Sequence, residues 1–248
     1  MAHPAPEDLG EAAPASLSSI ALFKSLSDAA RAEVESRCAW RSYPKDAEVF
    51  NRHSESRSIY FIARGSVRIV NFASSGREVA YARVGEGGFF GELSAIDGRP
   101  RSASVVALEP TVCATLNPES LIEVLHQHPQ VGIELMRRLA DMVRESDDRI
   151  LDLATLSAFQ RVYAELLKLV RKDPVNPNSW LIHPLPTQLE IAAQASTTRE
   201  TVARVLSQLS RDGLVERKSR TLYIRDYEGL RELGGNGSAE TAEGKDGR

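Results

Sequence analysis

Apolar residues recur along this chain at two different spacings, and the change of spacing divides it into regions. Between residues 47 and 117 the chain reads as short runs: 58–62 and 66–72 alternate apolar and polar side chains around the turn Ala63-Arg64-Gly65-Ser66, and 78–84, 104–108 and 111–116 follow. A period of two puts one face of each run on a core, so these runs predict strands, and several at this spacing predict an antiparallel barrel or sandwich. On either side the period is helical. Residues 17–34 read as a helix with Leu22 and Phe23 covering a core. Asn117-Pro118-Glu119 opens a second helical region that Pro129 punctuates, and a long helix is expected over 131–157. Residues 159–170 follow as another helix, and 172–177 (Lys-Asp-Pro-Val-Asn-Pro) as a loop. The expected class is α+β.

The long helix carries a seam. Met136, Leu139, Val143, Ile150 and Leu153 fall at steps of three and four, broken only by Ser146. Two helices packing as a parallel pair need that spacing, which predicts a homodimer. An amphipathic helix lying on its own core is the other reading. Ser146 either fixes register or faces a bound base, and Asp147 and Asp148 make the point still more polar.

Composition narrows the picture a little. The 248 residues are 26% charged and 42% hydrophobic, enough for two domains. A net charge of −3 argues against a globally basic nucleic-acid coat but permits a local one. Two cysteines, Cys38 and Cys113, have no metal or cluster spacing and read as packed thiols in a reducing cytosol. With no run of 18 apolar residues, no membrane-spanning helix is expected. The first 16 residues lack the basic start and apolar core of a signal peptide. They are expected to be disordered, as is the Gly-, Glu- and Ala-rich tail from 234.

The chemistry lies in two places. Residues 85–107, GEGGFFGELSAIDGRPRSASVVA, set Gly91, Glu92 and Leu93 shortly ahead of Arg101, Ser102 and Ala103. Glycines let backbone amides approach an anion, and a short helix opening there adds its positive end. A buried Glu can accept from a ribose hydroxyl, while an Arg offers a planar fork to phosphate oxygens beside a Ser hydroxyl. That set suits a small ligand with sugar and phosphate. A glycine-rich hairpin with a surface Arg and a structural Glu is the plainer alternative.

The second place is near the C-terminus. Thr187-Gln188-Leu189-Glu190 has the form of a capping box, and its helix runs to Ala195. Ser196 and Thr197 turn the chain, Thr198 begins a helix reaching about Asp212, and Gly213 stops it. Residues 214–224 then alternate across Arg217-Lys218-Ser219-Arg220 like a two-stranded hairpin. Two helices, a tight turn and a basic hairpin describe a winged helix-turn-helix. Between Arg199 and Arg225 there are seven basic and three acidic residues, a local excess of four positive charges. Phosphate neutralisation would supply affinity and base edges specificity. Arg199, Glu200 and Arg204 fall where a recognition helix enters the major groove. A Glu200–Arg204 pair on a solvated face is the bland reading.

With both elements in view, the chain resembles bacterial transcription regulators of the cyclic AMP receptor protein/fumarate–nitrate regulator family, from about Leu22 to Leu230. The resemblance implies a β-roll sensor over 17–130, a dimerisation helix over 131–158 and a winged helix over 159–233. Cyclic AMP is the implied allosteric ligand, with cyclic GMP as a second candidate and no other cofactor. By the same likeness Glu92 falls where the family contacts the ribose and Arg101 and Ser102 where it holds the cyclic phosphate, with Gly91, Leu93 and Ala103 as further ligand-binding positions of the cassette. Ser146 and Asp147 fall where the family carries two hydroxyl residues to the base. Thr198, Arg199, Glu200 and Arg204 match the recognition-helix signature, and Lys218 is the expected phosphate contact in the wing. The implied partners are an inverted-repeat operator with TGTGA-like half-sites, a second copy of the chain and RNA polymerase. The implied setting is the cytoplasm, and the implied role is not enzymatic.

Two positions depart from the family. Asp147 replaces a hydroxyl, and a carboxylate can accept from adenine's amino group or from two guanine donors, so the purine stays open. Met142 stands where the family can carry another Arg. Among rival readings, an iron–sulfur sensor would need several N-terminal cysteines. A haem sensor would need an axial ligand, for which His53, His126 and His128 qualify by type alone. A phosphodiesterase would need a convergent His/Asp set. A nucleotide-binding regulator without DNA binding is the last.

Overall fold

β-Branched and aromatic runs in the first part of the chain pair into two antiparallel sheets. The computed structural model describes residues 7–8, 16–72, 78–176 and 179–234 and divides into two units, Met1–Arg144 and Glu145–Arg248. In the first unit, β1 (Glu7–Asp8), β2 (Ala39–Tyr43), β4 (Ile59–Arg64), β7 (Phe89–Phe90) and β9 (Thr111–Leu116) form one sheet in the order β1-β2-β9-β4-β7. The other contains β3 (Glu48–Phe50), β5 (Ser66–Phe72), β6 (Glu78–Gly85) and β8 (Ser104–Ala107), ordered β3-β8-β5-β6.

Strand alternation decides which core each side chain joins. Tyr60 and Ile62 point with Tyr43, Phe50, Val67, Phe90, Val105 and Cys113 into one apolar cluster drawn from both sheets. Their neighbours Ile59 and Phe61 point the other way, against Leu22, Phe23, Leu121, Val124 and Val131. Gly65 makes the β4–β5 turn at φ 90°, where a Cβ would sit 2.6 Å from the Pro110 carbonyl oxygen. Both thiols sit in this unit; burial raises Cys38 and Cys113 to about 12, so each stays protonated.

The expected helix over 17–34 is a correction. Two 3₁₀ turns, Leu17–Ser19 and Ala21–Phe23, flank Ile20 in an extended conformation, and α1 starts only at Asp28 and runs to Ser36. Ser27 caps it through the Ala30 amide. Leu22 and Phe23 are buried as expected. Within the supposedly unstructured first 16 residues, Glu7–Asp8 pairs with Ser42 and Arg41, and Ser16 caps the first 3₁₀ turn; residues 1–6 and 9–15 lie outside those described. The tail from 235 lies outside them too.

After α2 (Glu92–Asp97), Asn117 caps α3 (Pro118–Gln127), with Pro118 at its first position. The long helix α4 runs Pro129–Thr155, close to the expected span. Only Val131 and Leu135 of it are buried, while Met136, Val143 and Ile150 are 62%, 60% and 65% exposed.

In the second unit, α5 (Ala158–Leu169), α6 (Gln188–Gln194) and α7 (Arg199–Arg211) pack with α8 (Tyr227–Gly234). A four-stranded sheet completes it: β10 (Arg171–Lys172), β11 (Trp180–Ile182), β13 (Thr221–Ile224) and β12 (Val215–Lys218), in that order. The expected 172–177 loop is corrected at its start, since Arg171 and Lys172 pair with Leu181 and Trp180. Val202, Val205 and Leu209 of α7 recur at helical spacing and meet Val162, Leu166, Ile191, Leu222 and Leu230 in the core.

Candidate nucleotide and DNA sites

The 85–107 segment folds as a cassette closed by its own arginine. Gly91 takes φ 81° ahead of α2, and Gly98 takes φ 68° after it. Arg101 is 3% exposed, and its guanidinium reaches back across the cassette. It donates to the Gly91 carbonyl at 3.0 Å, the Ser58 carbonyl at 2.8 Å and the Ser56 hydroxyl at 3.0 Å. The same group lies 4.0 Å over the Phe50 ring and 5.7 Å from Tyr60. Tyr60 stacks on Phe90 with centroids 5.1 Å apart. Gly91 at φ 81° favours glycine, and a Cβ there would come within 2.7 Å of the Arg101 Nη1 and 3.1 Å of the Ser58 carbonyl oxygen. The Arg101 Nε is buried without a hydrogen-bond partner.

Glu92 is 6% exposed. Burial raises its carboxyl, opposed by its own backbone amide, Arg138 and Arg101. Burial in turn lowers the Arg101 guanidinium, with Tyr60 and Glu92 acting against it. The structure thus brings Gly91, Glu92 and Arg101 together, and Ala103 is buried as well. It leaves the Ser102 side chain exposed, while the Ser102 carbonyl accepts from Asn71 at 3.1 Å, and leaves Leu93 exposed. Ser146 and Asp147 are exposed on α4.

Sequence reasoning passed over Ser56, Ser58, Phe50, Tyr60 and Arg138. Ser58 lies 43 residues from Arg101 and Ser56 lies 45. No local pattern marks such partners.

The helix-turn-helix is built from caps. Thr187 accepts from the Glu190 amide while the Glu190 carboxylate accepts from the Thr187 amide at 2.7 Å, closing the box that opens α6. Ser196 turns the chain at φ 49°, and Thr198 caps α7 through the Thr201 amide. Arg199, Glu200 and Arg204 are all exposed on the first turns of α7. Glu200 is held below the usual carboxylate range by its own amide first, then by Thr198 and the flanking arginines. Arg204 also lines a groove with Phe159, Ala203, Ser207, Gln208 and Arg211.

The hairpin is less open than its charge suggests. The Lys218 ammonium sits 3.0 Å from Glu216, whose other oxygen pairs with Arg225, and both cations flank the Tyr223 ring. A phosphate reaching Lys218 would have to compete with that carboxylate.

Known protein families match both units. Residues 40–128 match the cyclic nucleotide-binding domain, and residues 160–233 match the Crp-like helix-turn-helix domain. The chain belongs to the cyclic AMP receptor protein/fumarate–nitrate regulator family. It is a transcription regulator of that family and not an enzyme. It is 35% identical to the cyclic AMP receptor protein of Thermus thermophilus over 193 residues, 78% of this chain and 87% of the relative. Among solved structures, the catabolite activator protein of Thermus thermophilus is 31% identical, with a TM-score of 0.51, covering 86% of this chain and 97% of the other. The c-di-GMP responsive regulator CLP of Xanthomonas campestris has the same fold at 22% identity and a TM-score of 0.67, covering 80% and 99%. The chain is thus a cyclic-nucleotide-binding, DNA-binding regulator.

Proposed function

We propose that a cyclic purine mononucleotide, cyclic AMP foremost, binds the β-roll and tunes the binding of a homodimer to an inverted-repeat operator. The observation that carries this reading is the buried meeting of Arg101 and Glu92 around Gly91, with an Arg101 Nε still lacking a partner. Buried donors are rarely left unpaired, and an anion entering the cassette would satisfy one. Ser102 and the Ala103 backbone would complete the phosphate site, and Glu92 would take the ribose. Ser146 and Asp147 would meet the base. The exposed Met136, Val143 and Ile150 support the dimer, since an uncovered apolar stripe at heptad spacing suits a second copy. RNA polymerase is the expected downstream partner, as the family resemblance implies.

Calorimetry with cyclic AMP and cyclic GMP tests the ligand. Arg101→Leu strips the phosphate of its charged donor and is expected to cost roughly 2–5 kcal/mol of binding. A variant that melts cooperatively and still binds with wild-type affinity would defeat the assignment. Asp147→Ser is expected to move preference toward adenine over guanine, and an unchanged ratio would place Asp147 outside the pocket. A second reading, a different effector in the same pocket, is favoured by the three protein acceptors that already hold the Arg101 fork. Binding of neither nucleotide would select it.

A further inference from the structure

Helix α6 is only seven residues long, so the carbonyls at its C-terminal end and in the turn after it need partners from elsewhere. Two arginines supply them. Nη2 of Arg149 donates to the Gln194 carbonyl at 3.0 Å, and at 3.3 Å to both the Ala193 carbonyl and the Ser196 hydroxyl. Arg161 donates through Nε to the Ala195 carbonyl at 2.9 Å and through Nη2 to the Ser196 carbonyl at 3.2 Å. Four consecutive carbonyls, 193 to 196, are covered by two guanidinium groups. Cations are favoured at such an end both as donors and against the helix dipole.

What they hold is the turn that aims the recognition helix. Ser196 stands at φ 49°, a left-handed conformation that a non-glycine residue keeps only when its surroundings impose it. Thr198, the α7 cap, comes two residues later, and Arg199 and Glu200 follow directly.

The two arginines differ in where they are anchored. Arg161 belongs to α5, and it also donates to the Leu156 carbonyl at 2.8 Å. Arg149 belongs to α4, the continuous helix that begins at Pro129 in the first unit and ends at Thr155 in the second. Glu165 on α5 lies near both Arg149 and Lys168, whose ammonium also approaches Asp152 of α4 at 4.0 Å.

We propose that Arg149 is a positioning residue: it fastens the last turns of α4 to the helix-turn-helix turn, so that a change in α4 is passed to the aim of α7. This rests on the ligand-responsive reading above, with Arg161 acting as a local brace and Arg149 as the link. An effector acts only through its differential affinity for two arrangements, and a link of this kind lets α4 bias which arrangement the reading head adopts.

The test uses the full-length dimer with two readouts. The first needs no nucleotide: hydrogen exchange across 195–199 is expected to rise in Arg149→Gln, and the conservative Arg149→Lys, which keeps charge without the fork, is expected to fall between. The second is the ratio of operator affinities with and without saturating cyclic AMP. That ratio is expected to shrink by about tenfold in Arg149→Gln, within the usual span of coupling between sites, while affinity for non-specific duplex holds. Arg161→Gln is expected to lower the melting temperature and keep the ratio. Unchanged exchange in Arg149→Gln overturns the clamp, and changed exchange with a wild-type ratio overturns the link. A wild-type protein whose operator affinity ignores nucleotide, beside altered exchange in Arg149→Gln, would instead remove the effector reading and leave the clamp standing.

Discussion

Glu92 is where burial and the proposed ligand chemistry meet in a single side chain. Burial raises its carboxyl, so folding favours the protonated form. That contribution to stability is fully present below the unfolded pKa and is lost as pH rises through the higher, folded value. A ribose hydroxyl has the opposite preference, since it donates more strongly to a carboxylate than to a carboxylic acid. Nucleotide affinity is therefore expected to climb with pH from the ordinary glutamate range upward, through the raised folded value. Glu92→Gln keeps the shape without the charge, and it is expected both to bind more weakly and to lose this slope. Calorimetry at a series of pH values reads the trend, and a wild-type slope surviving in the variant would assign the titration to another group. Glu165, which burial also raises, is common to both proteins and drops out of the comparison.

Among the elements, α4 carries the most exposed claim. Val143 is 60% exposed within one chain, whereas Leu139 is half-buried, so Val143 is the cleaner probe of what covers the stripe from outside. Val143→Lys leaves a single chain almost undisturbed but would place an unpaired charge in an apolar seam, a cost of a few kcal/mol for a dimer. Sedimentation is expected to show monomer, and an intact dimer would move the association surface elsewhere. The seam could be read from sequence because its period is local, and so could the caps at Thr187 and Thr198. Strand 66–72 was legible for the same reason. Elements whose logic is not local were harder to see. In β2, Trp40 and Tyr43 are both buried but three residues apart, which breaks alternation. The strand expected at 58–62 is present as β4, but it does not alternate: Ile59 and Phe61 serve one cluster and Tyr60 and Ile62 another, and the strand runs on to Arg64, into the expected turn. Two glycines, Gly229 and Gly234, disguise α8. In the cassette, Gly91, Glu92 and Arg101 were legible by type, whereas the inward closure of Arg101 onto Ser56 and Ser58 depends on strand pairing that no short window records.

At the scale of the molecule, one chain holds one nucleotide cassette and one reading head, and a two-fold dimer would present two of each. Two identical α7 helices related by a dimer axis need two inverted half-sites, with centres one helical turn, about 34–36 Å or 10 base pairs, apart. Arg199, Glu200 and Arg204 stand exposed on the first turns of α7, and under the proposed function they are the side chains that would read base edges. Arg199→Ala is expected to cost about 1–3 kcal/mol per half-site and to relax preference at a guanine. Lys218 is a different case, because its ammonium is already 3.0 Å from Glu216 and would trade one anion for another on meeting phosphate. Lys218→Ala is expected to weaken all sequences alike and to flatten the salt dependence by about one unit or less. Titration of a palindromic and a scrambled duplex across a salt series separates the two outcomes. A loss for Arg199→Ala that is equal on both duplexes would make that arginine a phosphate contact and move sequence reading to Glu200 and Arg204. Adding cyclic AMP to the same titration tests the whole arrangement. Specific affinity is expected to change while scrambled-duplex affinity stays nearly fixed, because a ligand that re-aims α7 alters base contacts more than the charge the protein presents. Equal specific affinity in its presence and absence would leave a DNA-binding dimer and remove the switch.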